Sequence, residues 1–203
     1  PGQTACERCP AGAYCGEGAA AALPCLEGSY SSATGLGRSE QCTACPEGSS
    51  CSTGSLEPTA CSPGTVQPEE SQGTCDKCEA GRFQAEQNRT ACERCADGYY
   101  CTQGASAGLP CPAGRHQNAT LSELDISMTS ADDCVMCPAG SSCSTGAAEA
   151  TECSPGTVQP LAEQGTCDKC DPGSFQEAPG QTACERCPAG AYCGEGAAAA
   201  LPC

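Results

Sequence analysis

The chain has 203 residues and a net charge of −16, and Val, Ile, Leu and Phe together make up only 15 of them. So little apolar material cannot offset a conformational entropy cost of roughly 1–2 kcal/mol per residue, which excludes an ordinary hydrophobic core. The 24 cysteines put disulfide cross-links in its place and imply an oxidising, extracellular setting. The acidic balance also excludes nucleic acid as a partner, since that needs clustered Lys and Arg.

Taken in chain order, the cysteines fall in groups of four, four and two, then four, four and two, then four. Each group of four is C-x2-C-x5-C-x9-C, as at Cys6, Cys9, Cys15 and Cys25, and each group of two is C-x2-C between 13-residue gaps. A short unit (4–89) of 86 residues is followed by a long unit (90–181) of 92. The start of another short unit then occupies 182–203, and residues 1–3 close a preceding one. All six extra residues of the long unit lie between Cys111 and Cys134. Residues 1–25 and 179–203 are identical, so the true period is 178, and the chain reads as a piece of a longer array.

A finer pattern sits inside each unit. Eleven cysteines (9, 25, 45, 61, 78, 95, 111, 137, 153, 170 and 187) are followed by glycine at +3. At +5 stands Tyr, Phe, Val, His or Ser, as in Cys9-Pro-Ala-Gly-Ala-Tyr14. Glycine accepts positive φ, so this predicts a tight turn followed by a short extended segment, with the +5 aromatic able to cover a disulfide. Ala19–Ala22 is boxed between Gly18 and Pro24, about one turn, too short to nucleate a helix. The expected fold is a series of small disulfide-rich repeats: short β-hairpins and irregular loops stacked into an elongated rod, with little or no helix.

Tandem C-x2-C followed by P-x-G-x-[YF] resembles the cysteine-rich repeats of ephrin receptors and tumour-necrosis-factor receptors. Closely similar repeats occur in very large surface proteins of algae and protists. Such modules serve both as ligand-binding ectodomains and as passive stalks. The resemblance suggests two kinds of module: a single-loop one, which would pair Cys61–Cys75 or Cys78–Cys92, and a crossed one, which pairs first with third and second with fourth. The crossed scheme would join Cys9–Cys25, Cys15–Cys42, Cys45–Cys61, Cys51–Cys75 and Cys78–Cys92. The same order then gives Cys95–Cys111, Cys101–Cys134, Cys137–Cys153, Cys143–Cys167, Cys170–Cys184 and Cys187–Cys203. The rival is a ladder in which each glycine-flagged cysteine joins the next one: Cys9–Cys15, Cys25–Cys42, Cys45–Cys51, Cys61–Cys75. Spacing alone does not decide between them. The crossed scheme is preferred because the ladder leaves stretches such as 16–24 untied.

Catalytic and metal chemistry find little to work with. Cys75, Cys78, Cys92 and Cys95, and again Cys167, Cys170, Cys184 and Cys187, have near-zinc spacing, but they belong to an unbroken disulfide series. The seven C-x2-C motifs read as architecture, not redox sites. His116, the only histidine, has no nucleophile set against it and reads as a solvated loop residue. Asp132-Asp133 and Glu69-Glu70 lack the alternating pattern of a calcium loop, leaving only weak, nonspecific calcium binding by the acidic surface. No catalytic residue and no cofactor is therefore expected.

Two sequons, Asn88-Arg89-Thr90 and Asn118-Ala119-Thr120, predict N-linked glycans. The irregular stretch Pro112–Asp133 gathers Leu121, Leu124, Ile126 and Met128. These either fold back on their own unit or form a lateral contact with a neighbouring chain or unit. No run of residues is apolar enough for a transmembrane helix. Near-identical repetition suits a structural segment of an extracellular glycosylated filament or surface fibre, of the kind that forms flagellar hairs. Its partners would be copies of itself, other fibre proteins and glycans. The alternative is a ligand-binding ectodomain or adhesin.

Overall fold

The computed structural model describes residues 7–124 and 126–203. Among them are eleven two-stranded antiparallel hairpins, each strand two residues long, and eleven disulfides. The only α-helix among the described residues is Ala119–Glu123, alongside two short 3-10 turns at Ser39–Gln41 and Ala131–Asp133.

The glycine-flagged cysteines set the hairpins, as the +3 pattern predicts. From Cys25, a turn over Leu26, Glu27 and Gly28 is closed by the Ser29 N–H donating to the Leu26 carbonyl at 3.0 Å. Gly28 has φ +84°, the left-handed value that the third position of a type II turn requires. The two residues after it, Ser29–Tyr30, pair with Thr43–Ala44, immediately before the next flagged cysteine, Cys45. Each module is therefore flagged cysteine, turn, strand, loop, strand.

The chain forms two compact units, Pro1–Glu93 with Gln103–Ala107, and Arg94–Thr102 with Gly108–Cys203. In the first, Ala13–Tyr14 pairs with Leu23–Pro24, Ser29–Tyr30 with Thr43–Ala44, Ser49–Ser50 with Thr59–Ala60, and Thr65–Val66 with Asp76–Lys77. In the second, Tyr99–Tyr100 pairs with Leu109–Pro110, Arg115–His116 with Val135–Met136, and Ser141–Ser142 with Thr151–Glu152. Three more follow: Thr157–Val158 with Asp168–Lys169, Ser174–Phe175 with Glu185–Arg186, and Ala191–Tyr192 with Leu201–Pro202.

The core is sulfur. Among the described residues, all eleven side chains that are under 2% exposed are cysteines, including Cys25, Cys45, Cys61, Cys111 and Cys137. Their pairing is the ladder. In the first unit it runs Cys9–Cys15, Cys25–Cys42, Cys45–Cys51, Cys61–Cys75 and Cys78–Cys92. In the second it runs Cys95–Cys101, Cys111–Cys134, Cys137–Cys143, Cys153–Cys167, Cys170–Cys184 and Cys187–Cys193. This corrects the crossed expectation everywhere except Cys78–Cys92 and Cys170–Cys184, which both schemes share. Cys9–Cys25, Cys15–Cys42, Cys45–Cys61, Cys51–Cys75, Cys95–Cys111, Cys101–Cys134, Cys137–Cys153, Cys143–Cys167 and Cys187–Cys203 do not form. Cys203 is an exposed free thiol, and Cys6 lies outside the described residues.

The physical reason is that the x9 stretches are not untied. The residue at +6 lies just past the first strand, which returns it over its own flagged cysteine with Cα atoms 5.8 Å apart in Cys45–Cys51. The stretch that follows docks on the preceding module. In 52–60, the Gly54 N–H donates to the Cys25 carbonyl at 2.8 Å, and Ser55 bridges to Tyr30 in parallel register. Backbone hydrogen bonds thus hold what the crossed disulfides were expected to hold.

Candidate functional site

The surface that recurs is the junction between modules. It starts from the backbone of each flagged cysteine's turn. In the first unit, the Gly12, Gly28, Gly48 and Gly64 N–H groups donate to Ser31, Cys51, Gln67 and Gln84 carbonyls, each the +6 residue of the next module, at 2.7–2.8 Å. In the second unit Gly114, Gly140, Gly156 and Gly173 do the same with Cys143, Gln159, Gln176 and Cys193. Gly98 bonds instead to the side-chain Oε1 of Gln117, at 2.6 Å.

The same glycines meet a second partner, two modules further on. A Cβ placed on Gly12 would lie 2.5 Å from the Gly54 carbonyl oxygen. At Gly28, Gly48 and Gly64 the partners are Ser71, Asn88 and Gly104, at 2.0, 2.7 and 2.3 Å. The second unit repeats the contact at Gly98–Gly146, Gly114–Glu163, Gly140–Gly180 and Gly156–Gly196, all at 2.2–2.3 Å. Every carbonyl presented this way belongs to a residue in the left-handed region, φ +60 to +76°. Its N–H is fixed in turn by the flagged cysteine of the preceding module, as in Gly180 to Cys153, 2.9 Å. The glycine at +3 therefore serves both a turn and a close backbone approach.

The +6 position carries a feature absent from the expectations. Where it is not cysteine, it is Gln67, Gln84, Gln117, Gln159 or Gln176, or else Ser31. Gln67, Gln84, Gln159 and Gln176 are 3–6% exposed. Gln159 donates from Nε2 to the Thr166 carbonyl (2.8 Å) and accepts the Leu161 N–H on Oε1 (3.1 Å). Gln67, Gln84 and Gln176 repeat both bonds at the same offsets. The amide braces the loop that a six-residue disulfide braces in the other modules. The signal was in the sequence: Gln recurs six residues after a flagged cysteine.

Of the residues singled out for chemistry, Cys75, Cys78, Cys92, Cys95, Cys167, Cys170, Cys184 and Cys187 are all consumed by disulfides. His116 is not a solvated loop residue. It is half-buried in a strand, with Nδ1 2.7 Å from the Gln117 carbonyl and a parallel bridge to Ala147. Glu69 and Glu70 are exposed. Asp133 closes a 3-10 turn, its Oδ2 accepting the Thr129 N–H (2.7 Å), the Thr129 hydroxyl (2.9 Å) and the Ser130 N–H (3.0 Å). The Thr129 N–H does most to hold its carboxyl below the ordinary value; burial opposes this, and the Thr129 hydroxyl and Ser130 add to it.

The two sequon asparagines differ in setting. Asn88 is exposed, with φ +60°, its carbonyl set against Gly48 and its N–H on the Cys61 carbonyl. Asn118 is half-buried and caps Ala119–Glu123, its Oδ1 accepting the Thr120 and Leu121 N–H groups. The apolar insertion divides. Met128 is 3% exposed and packs with Leu121, Cys111, Cys134 and Tyr100. Its carbonyl takes the Cys101 N–H, docking the insertion on the preceding module. Leu124 and Ile126 remain 64% and 50% exposed. Tyr100, the +5 aromatic of its module, thereby covers the Cys111–Cys134 disulfide, as the pattern predicts.

Short hairpins on a disulfide ladder, joined by one repeated junction, define a tandem cysteine-rich repeat. Residues 156–200 match the family described as tyrosine-protein kinase ephrin type A/B receptor-like, which makes that segment an ephrin-receptor-like cysteine-rich domain. No curated protein matches the chain. Modules of this kind are typical of non-catalytic extracellular domains, and so many disulfides point to a secreted or extracellular region. No helix among the described residues is long and apolar enough to cross a membrane.

Proposed function

We propose that this chain is a structural segment of an extracellular, glycosylated filament or surface fibre, in which the units 4–89 and 90–181 alternate and 182–203 begins the next. The observation that supports the reading is the uniformity of the junction. Most interior modules offer their neighbours an equivalent glycine, a carbonyl from a left-handed residue and the same backbone hydrogen bonds, with Gly98 bonding to a side chain instead, so modules differ little in what they present. A rod requires only that modules stack, each on its neighbours. Its partners are then further copies, other fibre proteins and glycans carried on Asn88 and Asn118. Electron micrographs of native material showing fibres that bind an antibody to this chain are the expected result; dispersed globular particles would refute it.

The match of residues 156–200 to ephrin-receptor-like sequences supports a second reading, a ligand-binding ectodomain or adhesin. In that case immobilised chain captures one soluble protein ligand at saturable stoichiometry, and native material shows no fibres.

A further inference from the structure

The insertion of the long unit leaves two large apolar side chains uncovered beside a sequon. Met128 and Leu121 pack onto the Cys111–Cys134 disulfide, but Leu124 and Ile126 stay exposed. Backbone hydrogen bonds fix where that pair stands. The Asn118 Oδ1 accepts the Thr120 and Leu121 N–H groups at 3.1 and 3.4 Å. The carbonyls of the same two residues accept the Leu124 N–H (3.2 Å) and the Ile126 N–H (2.8 Å). Both exposed residues thus stand about one helical turn, ~5 Å, from the pair that Asn118 caps. The cap uses only Oδ1, whereas a glycan is joined through Nδ2, so the sugar leaves the cap intact and starts from a fixed side chain. The corresponding loop of the short unit, 26–41, has no asparagine, isoleucine or methionine. Sequon and exposed apolar pair therefore occur together.

We propose that Leu124 and Ile126 form a seat for the glycan of Asn118, whose first N-acetylhexosamine lays its apolar face on the two side chains. Area and charge argue for this occupant over a second copy of the chain. Two side chains fall far short of the roughly 1,200 Å² that a specific protein interface buries. A net charge of −16 on each copy opposes a second chain as well. A sugar tethered at Asn118 needs no such area, because a short tether holds it at an effective concentration of about millimolar. It is neutral, so the acidic surface does not repel it. Its ring C–H groups and acetyl methyl suit aliphatic side chains, and its hydroxyls stay in water. The inference rests on the reading of the chain as a glycosylated filament, and gives one of its glycans a defined place on the surface.

The test uses the 203-residue chain secreted from cells that add high-mannose glycans, carrying Thr90→Ala to remove the other sequon while keeping Asn88. Three forms are compared by NMR and hydrogen exchange: intact, trimmed by endoglycosidase H to one sugar, and stripped by peptide N-glycosidase F. The first two should show NOEs from the acetyl methyl of the Asn-linked sugar to the Leu124 and Ile126 methyl groups. Their Leu124 and Ile126 amides should exchange at least threefold more slowly than in the stripped form. Stripping converts Asn118 to Asp, which also caps a helix, so loss of the cap does not account for that difference. Leu124→Ser/Ile126→Ser should erase it, while the Cys101 amide, bonded to the Met128 carbonyl, keeps its protection. The NOEs are read on the unsubstituted side chains and do not depend on that variant's folding. Secreted chain with no glycan on Asn118, absent NOEs, or equal exchange in all three forms would each overturn the proposal. So would a dimer that Leu124→Ser/Ile126→Ser abolishes, which assigns the patch to a second copy. Native fibres with an unseated glycan would retire this contact alone, and a seated glycan on dispersed particles would retire only the filament.

Discussion

Adding a single methyl group at Gly140 tests the central claim about the junction. The Cβ of Gly140→Ala would stand 2.2 Å from the Gly180 carbonyl oxygen, where ordinary contact begins at 3.4 Å, so backbone must move by about 1.2 Å. That carbonyl cannot yield freely, because the Gly180 N–H is held by Cys153 at 2.9 Å. Forcing alanine into φ +81° costs roughly 1–2 kcal/mol, and overpacking adds about 1–3 kcal/mol. The sum, roughly 2–5 kcal/mol, corresponds to about 30-fold to several-thousand-fold faster exchange of the Gly180 amide, at a tenfold change per 1.4 kcal/mol. Gly173→Ala is the matched control: φ is +86°, with nothing within 4 Å of the new methyl. It should show only the conformational part, roughly 1–2 kcal/mol at neighbouring amides. Native-state hydrogen exchange of both variants under non-reducing conditions gives the comparison. Equal losses in the two would refute the close approach and leave the glycines as turn formers only.

Three further outcomes follow from the same structure. Gln159→Leu strands the Leu161 N–H and the Thr166 carbonyl, and should lower the local stability of the 159–167 loop by about 1–3 kcal/mol. Gln164→Leu, which loses one 3.2 Å exposed bond, should stay within about 0.5 kcal/mol by the same exchange measurement. Cleavage after the exposed Glu149 by a glutamate-specific protease should give two flanking fragments that separate on a denaturing, non-reducing gel, since no disulfide of the ladder spans that residue. Fragments that stay joined until reduction would restore the crossed pairing. Asp133 has a depressed carboxyl pKa, so its contribution to stability is present above the unfolded value and is lost as pH falls through the folded one. Protection of the Thr129 amide should therefore hold at neutral pH and fall on acidification below about pH 4. In Asp133→Asn it should already be reduced at pH 7.

Much of the local structure was legible because it depends on neighbours in sequence. Glycine three residues after a cysteine demands a turn, and the two residues beyond it have room only to extend. The shortage of apolar residues required a covalent core, and the buried side chains of Cys25, Cys45 and Cys137 supply it. The connectivity was not legible, because the spacing accommodates both a crossed set and a ladder. What decides it is that stretches such as 52–60 lie down on the preceding module through Gly54 and Ser55. That contact links residues almost thirty apart and leaves no mark in cysteine spacing. The buried glutamines were hidden for a related reason: a polar residue reads as surface until its loop closes over it, although their recurrence at +6 was there to be seen.

Composition and cysteine phase by themselves determined that this chain would be a repeated, disulfide-held series of short hairpins. Those properties follow from entropy and local backbone geometry. Only the tertiary structure decided which sulfurs join, and why the +3 residue must be glycine twice over. Both depend on backbone carbonyls arriving from one and two modules away, and no local rule places those.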